Sequence, residues 1–153
     1  MADVVPPEVR SRMMAGIRGK DTKPELLVRH SLHAEGFRYR LHAAGLPGKP
    51  DMVFPKHRAV VFVHGCFWHG HDCHLFRLPA TRTDFWETKI KGNVARDLKA
   101  VDALRKAGWR VGTVWECAVK GRTRRPTSEV SAHLAGWLRG DSAMFEAEGL
   151  KHD

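Results

Sequence analysis

Ala59-Val60-Val61-Phe62-Val63-His64-Gly65-Cys66-Phe67-Trp68-His69-Gly70-His71-Asp72-Cys73-His74 decides how this chain is read. Its first part is a short apolar run, which predicts a buried strand ending at His64. From His64 to His74, eleven residues hold four histidines, two cysteines and two adjacent large aromatics. Core packing does not call for that density. The stretch offers metal ligands, proton-transfer groups and flat apolar faces at the end of one strand.

Working outward, Asp51-Met52-Val53-Phe54 predicts a second strand, joined to Ala59–His64 by a turn around Pro55-Lys56-His57-Arg58. With the turn centred on His57, antiparallel pairing sets Asp51 opposite Val63 and brings Asp51 and His64 to one end of the hairpin. Upstream, Thr22-Lys23-Pro24-Glu25 matches a capping box, opening a helix that runs to about Glu35 and stops at Gly36. Phe37 to Leu41 reads as a strand, and Ala43 to Pro50 as a Gly- and Pro-rich loop. Downstream, Asp84 to Ala107 predicts a long helix whose buried stripe is Ile90, Val94, Leu98, Val101 and Leu104. A strand over Trp109–Trp115 and a helix over Thr127–Leu138 follow. Pro7 to Ile17 reads as a short basic helix carrying Arg10 and Arg12. The pieces make an α/β fold, a mixed β-sheet flanked by helices. Residues 1–20 form a basic arm, 21–140 the core and 141–153 a loosely held tail.

A chain of 153 residues fits one domain. Its formal charge of +9, from 26 Lys and Arg against 17 Asp and Glu, favours a polyanionic partner, most commonly nucleic acid. No apolar stretch approaches the ~18 residues that span a membrane. The start, Met1 to Pro7, lacks a charged-then-apolar leader, so the expected location is cytoplasmic. Three cysteines would leave one over in a disulfide framework, and with histidines nearby they predict a bound metal instead.

Cys66, His71, Cys73 and Cys117 make a closed set of three thiolates and one imidazole, which suits structural Zn2+. Cys117 follows the strand Trp109–Trp115 as Cys66 follows Ala59–His64, so neighbouring strands would bring both to one ion. His69 and His74 are also within reach as the imidazole ligand. The plainer alternative is three ordinary buried cysteines.

Pro50-Asp51 before a strand matches the start of the Pro-Asp…Glu-x-Lys nuclease pattern, in which a carboxylate holds Mg2+. Val63-His64-Gly65 stands where Glu-x-Lys would fall. Histidine offers a substitute chemistry: His69 to deprotonate water, His64 to donate to a phosphate oxygen. Asp97 falls on the apolar stripe of its helix, where a carboxylate needs a partner, either an imidazole or an Arg or Lys. Glu25 is explained by its capping role alone. Phe67, Trp68, Trp86 and, on the basic arm, Met14 are either core residues or wedges that enter between base pairs.

Leu46-Pro47-Gly48-Lys49-Pro50-Asp51, His64 to His69, Pro79-Ala80-Thr81-Arg82-Thr83-Asp84-Phe85-Trp86, Lys89-Ile90, Asn93-Val94, Arg96-Asp97, Gly108 to Val111 and Val114-Trp115-Glu116-Cys117 together resemble the very short patch repair (Vsr) DNA mismatch endonucleases. The match spans about Arg10 to Trp137. It implies a restriction-endonuclease-like fold and a Mg2+-dependent, strand-specific nick 5′ to the thymine of a T:G mismatch, the product of 5-methylcytosine deamination. It further implies that Asp51 and the Val63 main-chain carbonyl bind Mg2+, with Glu25 holding water of the ion. His69 would be the base, oriented by Asp97, with His64 on the phosphate. Phe67, Trp68 and Trp86 would intercalate from the major groove, with Met14 and the arm on the minor-groove side. The implied Zn2+ set is the one given above. Implied partners are double-stranded DNA and, functionally, a cytosine-C5 DNA methyltransferase; a single mismatch needs only a monomer.

Val63 replaces a hydroxyl residue common in the family, and Gly70 and His74 make the histidine cluster less regular. Two other functions fit the same residues. One is a restriction-type nuclease that cuts intact duplex; the other is a zinc-stabilised DNA-binding module without activity. Asp51, His64, His69 and Asp97 together argue against the second.

Overall fold

The computed structural model describes residues 22–150. Met14, the expected Pro7–Ile17 helix and all of the basic arm lie outside the described residues. Thr22, in extended conformation, caps α1 (Lys23–Ala34), its Oγ1 accepting the Glu25 N–H at 3.4 Å with Pro24 in the first turn. The helix ends where Gly36 turns to φ +98°, and the Phe37 N–H returns to the Leu32 carbonyl at 3.1 Å. That C-terminal bond uses the Phe37 amide, so the strand expected over Phe37–Leu41 shortens to β1 (Arg40–Leu41). Phe37 packs its ring edge-on to Phe54 instead.

β2 (Met52–Phe54) and β3 (Ala59–His64) form the expected antiparallel hairpin. The link is a 3-10 turn over Pro55–His57 closed by Arg58 in the left-handed region at φ 51°. This tight turn pairs Phe54 with Ala59 and Met52 with Val61, so Asp51 falls opposite Phe62 rather than Val63. The side chain recovers the contact: Asp51 Oδ2 accepts the Val63 N–H at 2.6 Å.

From β3 the chain crosses over through α2 (Thr83–Lys106) to β4 (Arg110–Trp115), which pairs with β3 in parallel. The short α3 (Glu116–Val119) and α4 (Thr127–Arg139) lead to β5 (Met144–Ala147), parallel to β4. The five strands lie in the order β1-β2-β3-β4-β5. The tail expected to be loosely held therefore supplies the edge strand over Met144–Ala147, stitched to Val111–Val114.

Val28 and Leu32 of α1 and Leu134 and Leu138 of α4 cover one face of the sheet over Phe54, Val61 and Val114. Leu104 of α2 covers the other, over Val53, Val60, Phe62 and Val111. This is the layered α/β arrangement expected. One member of the α2 stripe is misassigned: Leu98 is 68% exposed. At about 100° per residue, successive four-residue steps from Ile90 drift by about 40° each and carry Leu98 off the buried side. Asp97 takes the central position. Among the described residues, no helix is long and apolar enough to cross a membrane.

Candidate active site

Asp51, His64 and His69 open onto one cleft of about 860 Å³, walled also by Glu25, Val63, Phe67, Trp68 and Trp86. Asp51 reaches it from the mouth of the hairpin, beside Glu25, which is 2% exposed. Glu25 Oε2 lies 2.7 Å from His42 Nε2 and 2.9 Å from Arg29. Burial pushes the Asp51 carboxyl up to about 7, and the Glu25 charge adds to the rise; the Val63 N–H and His42 oppose it. The shielded Asp51 carboxyl, beside the Glu25 charge, ionises more readily when a further cation joins them. Donor atoms of Glu25, His42 and Asp51 all lie within 4.8 Å of one another, a set suited to a divalent ion.

The second group is imidazole-based. His69 Nδ1 is 2.6 Å from Asp97 Oδ2, so Asp97 has an imidazole partner rather than Arg or Lys. That bond leaves His69 Nε2 as the nitrogen available to a substrate. His64 stacks on His69, with ring centroids 3.8 Å apart and planes 4° from parallel. Burial holds His64 down at about 3, the neighbouring His69 adds to the fall, and Asp97 opposes it. His64 therefore stands as a neutral imidazole, able to donate one N–H without carrying charge.

Cys66, His71, Cys73 and Cys117 gather with all ligand atoms within 4.8 Å. His71 Nδ1 lies 3.6 Å from both Cys66 Sγ and Cys117 Sγ. Sulfur at about 2.3 Å and nitrogen at about 2.05 Å from a tetrahedral zinc sit roughly 3.6 Å apart. Burial raises the Cys66 and Cys117 thiols, so these two ionise far more readily around a cation. His71 Nε2 bonds Glu148 Oε2 at 2.9 Å, the carboxylate support that metal-binding histidines use. The other histidine candidates are engaged elsewhere: His69 with Asp97, and His74 against Thr123 Oγ1 at 3.4 Å.

Phe67, Trp68 and Trp86 pack edge-to-face, with centroids 5.1 to 5.7 Å apart. Asn93 Nδ2 donates to the Trp68 carbonyl at 2.8 Å and pins the loop to α2. His42, Asn93 and Glu148 escaped the sequence reading as site residues. Asn93 sits four residues before Asp97, one turn away on the same helix face, which was a usable signal. His42 and Glu148 had none, because the fold alone brings them in.

A shielded carboxylate pair beside a histidine–aspartate dyad, in a basic α/β protein, fits a metal-dependent phosphodiesterase of the nuclease type. Comparison with known proteins narrows this. The family model described as "DNA mismatch endonuclease Vsr" matches residues 2–75. The chain is 43% identical over 152 residues to the DNA mismatch endonuclease Vsr of Escherichia coli (strain K12), covering 98% of this chain and 97% of that protein. It is 52% identical over 117 residues to the type II nicking enzyme V.XorIIP of Xanthomonas oryzae pv. oryzae, covering 76% and 86%. A type II nicking enzyme of Neisseria meningitidis serogroup A, V.NmeAIP, is 47% identical over 122 residues, covering 80% and 87%. The chain belongs to the Vsr family of DNA mismatch endonucleases. The likeness extends past Trp137, where the sequence motifs stop, into the tail that carries β5.

Proposed function

We propose that this protein nicks one strand of duplex DNA 5′ to the thymine of a T:G mismatch, starting very short patch repair. The observation that carries the reading is the His69–Asp97 pair at 2.6 Å, stacked on His64 and facing the same cleft as Asp51. Asp51 and the Val63 carbonyl would hold Mg2+, an ion that neutralises phosphate charge and lowers the pKa of water. His69 Nε2 takes the proton of the attacking water as its oxygen bonds phosphorus and the P–O3′ bond breaks, the departing 3′-oxygen taking a proton from solvent. Asp97, on Nδ1, stabilises the imidazolium that forms. His64 donates its N–H to a non-bridging phosphate oxygen, and being neutral it pays little for burial. Glu25 orients water from the wall of the cleft.

Phe67, Trp68 and Trp86 enter beside the mismatch from the major groove, where a mispaired step unstacks most easily. The arm of residues 1–20, with Met14, contacts the minor groove, and residues 21–140, completed by the edge strand Met144–Ala147, form the endonuclease core. Cys66, His71, Cys73 and Cys117 hold a structural Zn2+ that keeps wedge and base in register. A single mismatch has no two-fold symmetry, so one copy suffices. The substrate follows deamination of 5-methylcytosine, which links the enzyme to a cytosine-C5 DNA methyltransferase and to the cytoplasmic DNA of its cell. A nicking assay with Mg2+ on matched T:G and T:A duplexes tests this. Selective cutting of T:G supports it, equal cutting identifies a restriction-type nuclease, and binding without cutting identifies an inactive module.

A further inference from the structure

His42 faces Asp51, assigned to the metal, and Glu25, assigned to its water, and has no part in the proposed mechanism. It is the first residue past β1, with φ at 47°, a region that non-glycine residues seldom adopt. The conformation is secured by its own N–H, which donates to the Asp51 main-chain carbonyl at 3.1 Å. The result is a ring that is only 17% exposed, with Nε2 2.7 Å from Glu25 Oε2.

One imidazole nitrogen and two carboxylates lie within 4.8 Å of one another here. Donors about 2.1 Å from a common ion are separated by roughly 3 to 4.2 Å, so small side-chain shifts bring Asp51 and His42 onto one ion with Glu25 at its edge. The set differs in kind from an all-oxygen site. Mg2+ takes oxygen ligands and keeps its waters, whereas imidazole suits first-row transition ions; Mn2+ favours oxygen but, as a member of that series, tolerates a nitrogen donor better than Mg2+ does. We propose that His42 is a nitrogen ligand of the ion held by Asp51, so that this site prefers Mn2+ to Mg2+. The inference rests on the reading of Asp51 as a metal ligand.

At 2.7 Å the contact with Glu25 is a hydrogen bond in which Nε2 carries the proton; ligation requires the other tautomer, with the proton moved to Nδ1 and the freed Nε2 lone pair turned to the ion. The competing role is positioning, with His42 merely holding Glu25 by a hydrogen bond. His42→Gln separates the two, because the amide still donates to Glu25 while the imidazole is lost.

The experiment uses the full chain with its zinc in place. Mn2+ is titrated by electron paramagnetic resonance, Mg2+ by competition, and nitrogen coupling to Mn2+ is read by electron spin-echo modulation. The wild type should show nitrogen coupling that His42→Gln abolishes. Mn2+ affinity should fall by about tenfold or more, the scale on which even outer-shell partners act, with Mg2+ affinity nearly unchanged. Equal losses for both ions, or coupling that survives the substitution, overturn the proposal. So does a wild type without nitrogen coupling, a result independent of how well the variant folds. Asp51→Asn is the control: if it leaves Mn2+ binding intact, the metal reading of Asp51 fails; if it abolishes binding while His42→Gln does not weaken it, only the His42 inference fails.

Discussion

Replacing Asp97 with Asn removes a negative charge from the His69 ring while keeping shape and size. The magnitude follows from the 2.6 Å contact. When His69 accepts a proton, a full positive charge forms about 4 Å from the carboxylate centre, worth about 4 kcal/mol at an effective dielectric of 20. His69 and Asp97 are 26% and 28% exposed, so solvent screens part of this. Halving it leaves about 2 kcal/mol, or roughly 30-fold in rate, with roughly 1,000-fold as the unscreened bound. A second effect acts in the same direction. An amide NH2 turned toward Nδ1 favours the tautomer with the proton on Nε2, which removes the lone pair that acts as base. Single-turnover nicking of a T:G duplex should therefore slow by at least roughly 30-fold, with DNA affinity nearly unchanged. A rate within a few-fold of wild type in the folded variant would refute the dyad. A loss confined to affinity would move Asp97 from chemistry to binding.

Trp68→Ala should weaken binding to a T:G duplex by about 1–3 kcal/mol, the scale of base–aromatic stacking, and equilibrium titration against a T:A duplex checks this. Glu148→Gln removes the carboxylate behind His71 and should speed loss of the proposed Zn2+ to a chelator by roughly tenfold to a hundredfold, while an unchanged release rate would deny the support role. The raised Asp51 carboxyl makes two further outcomes testable. Its folded pKa of about 7 lies above the ordinary 3.8, so in metal-free protein its stabilising effect is full below about 3.8 and lost as pH rises through about 7. Asp51→Asn should then raise the Tm of metal-free protein relative to wild type at pH 8 but not near pH 4, a comparison made by calorimetry. In the wild type, protons and metal compete for the same carboxyl, so half-saturating Mg2+ should climb as pH falls below about 7; a flat dependence would free Asp51 from metal binding.

The local grammar of the chain was legible where one short-range signal governed the outcome. Thr22, Pro24 and Gly36 bounded α1, and the apolar run Ala59–Val63 became β3 with its ligand-rich loop following. Signals failed where a neighbour in space decided. The amide of Phe37 went to the end of α1 rather than to β1, and the left-handed Arg58 moved the hairpin register by one residue. Leu98 fits a helical apolar pattern, yet Asp97 holds the inward position because His69 is there to receive it. The residues His42 and Glu148 stand alone in sequence, and only the β1–β2 pairing and the β4–β5 pairing carry them to their partners.

Parallel pairing explains why so much chemistry collects at one place. Val63 is level with Val114 and His64 with Trp115, so the residues two beyond each strand, Cys66 and Cys117, emerge side by side. The Cys117 N–H reaches Cys66 Sγ at 3.3 Å. Because β5 also runs parallel, with Ala147 beside Val114, the chain leaves it at the same edge. Glu148 there meets His71, and the Gly149 N–H reaches Cys117 Sγ at 3.3 Å. A side chain at Gly149 would strike the Cys117 carbonyl and Thr123, so the close approach needs glycine. Three parallel strands thus deliver ligands and their supports to the carboxyl edge of the sheet, where open α/β sheets bind their ligands. An antiparallel β3–β4 pair would have sent Cys117 to the far edge and left the loop from Gly65 to His74 unbraced. An ion bound by this set therefore acts directly on His69 and Trp68, which sit on the braced loop, and only indirectly on the sheet beneath it.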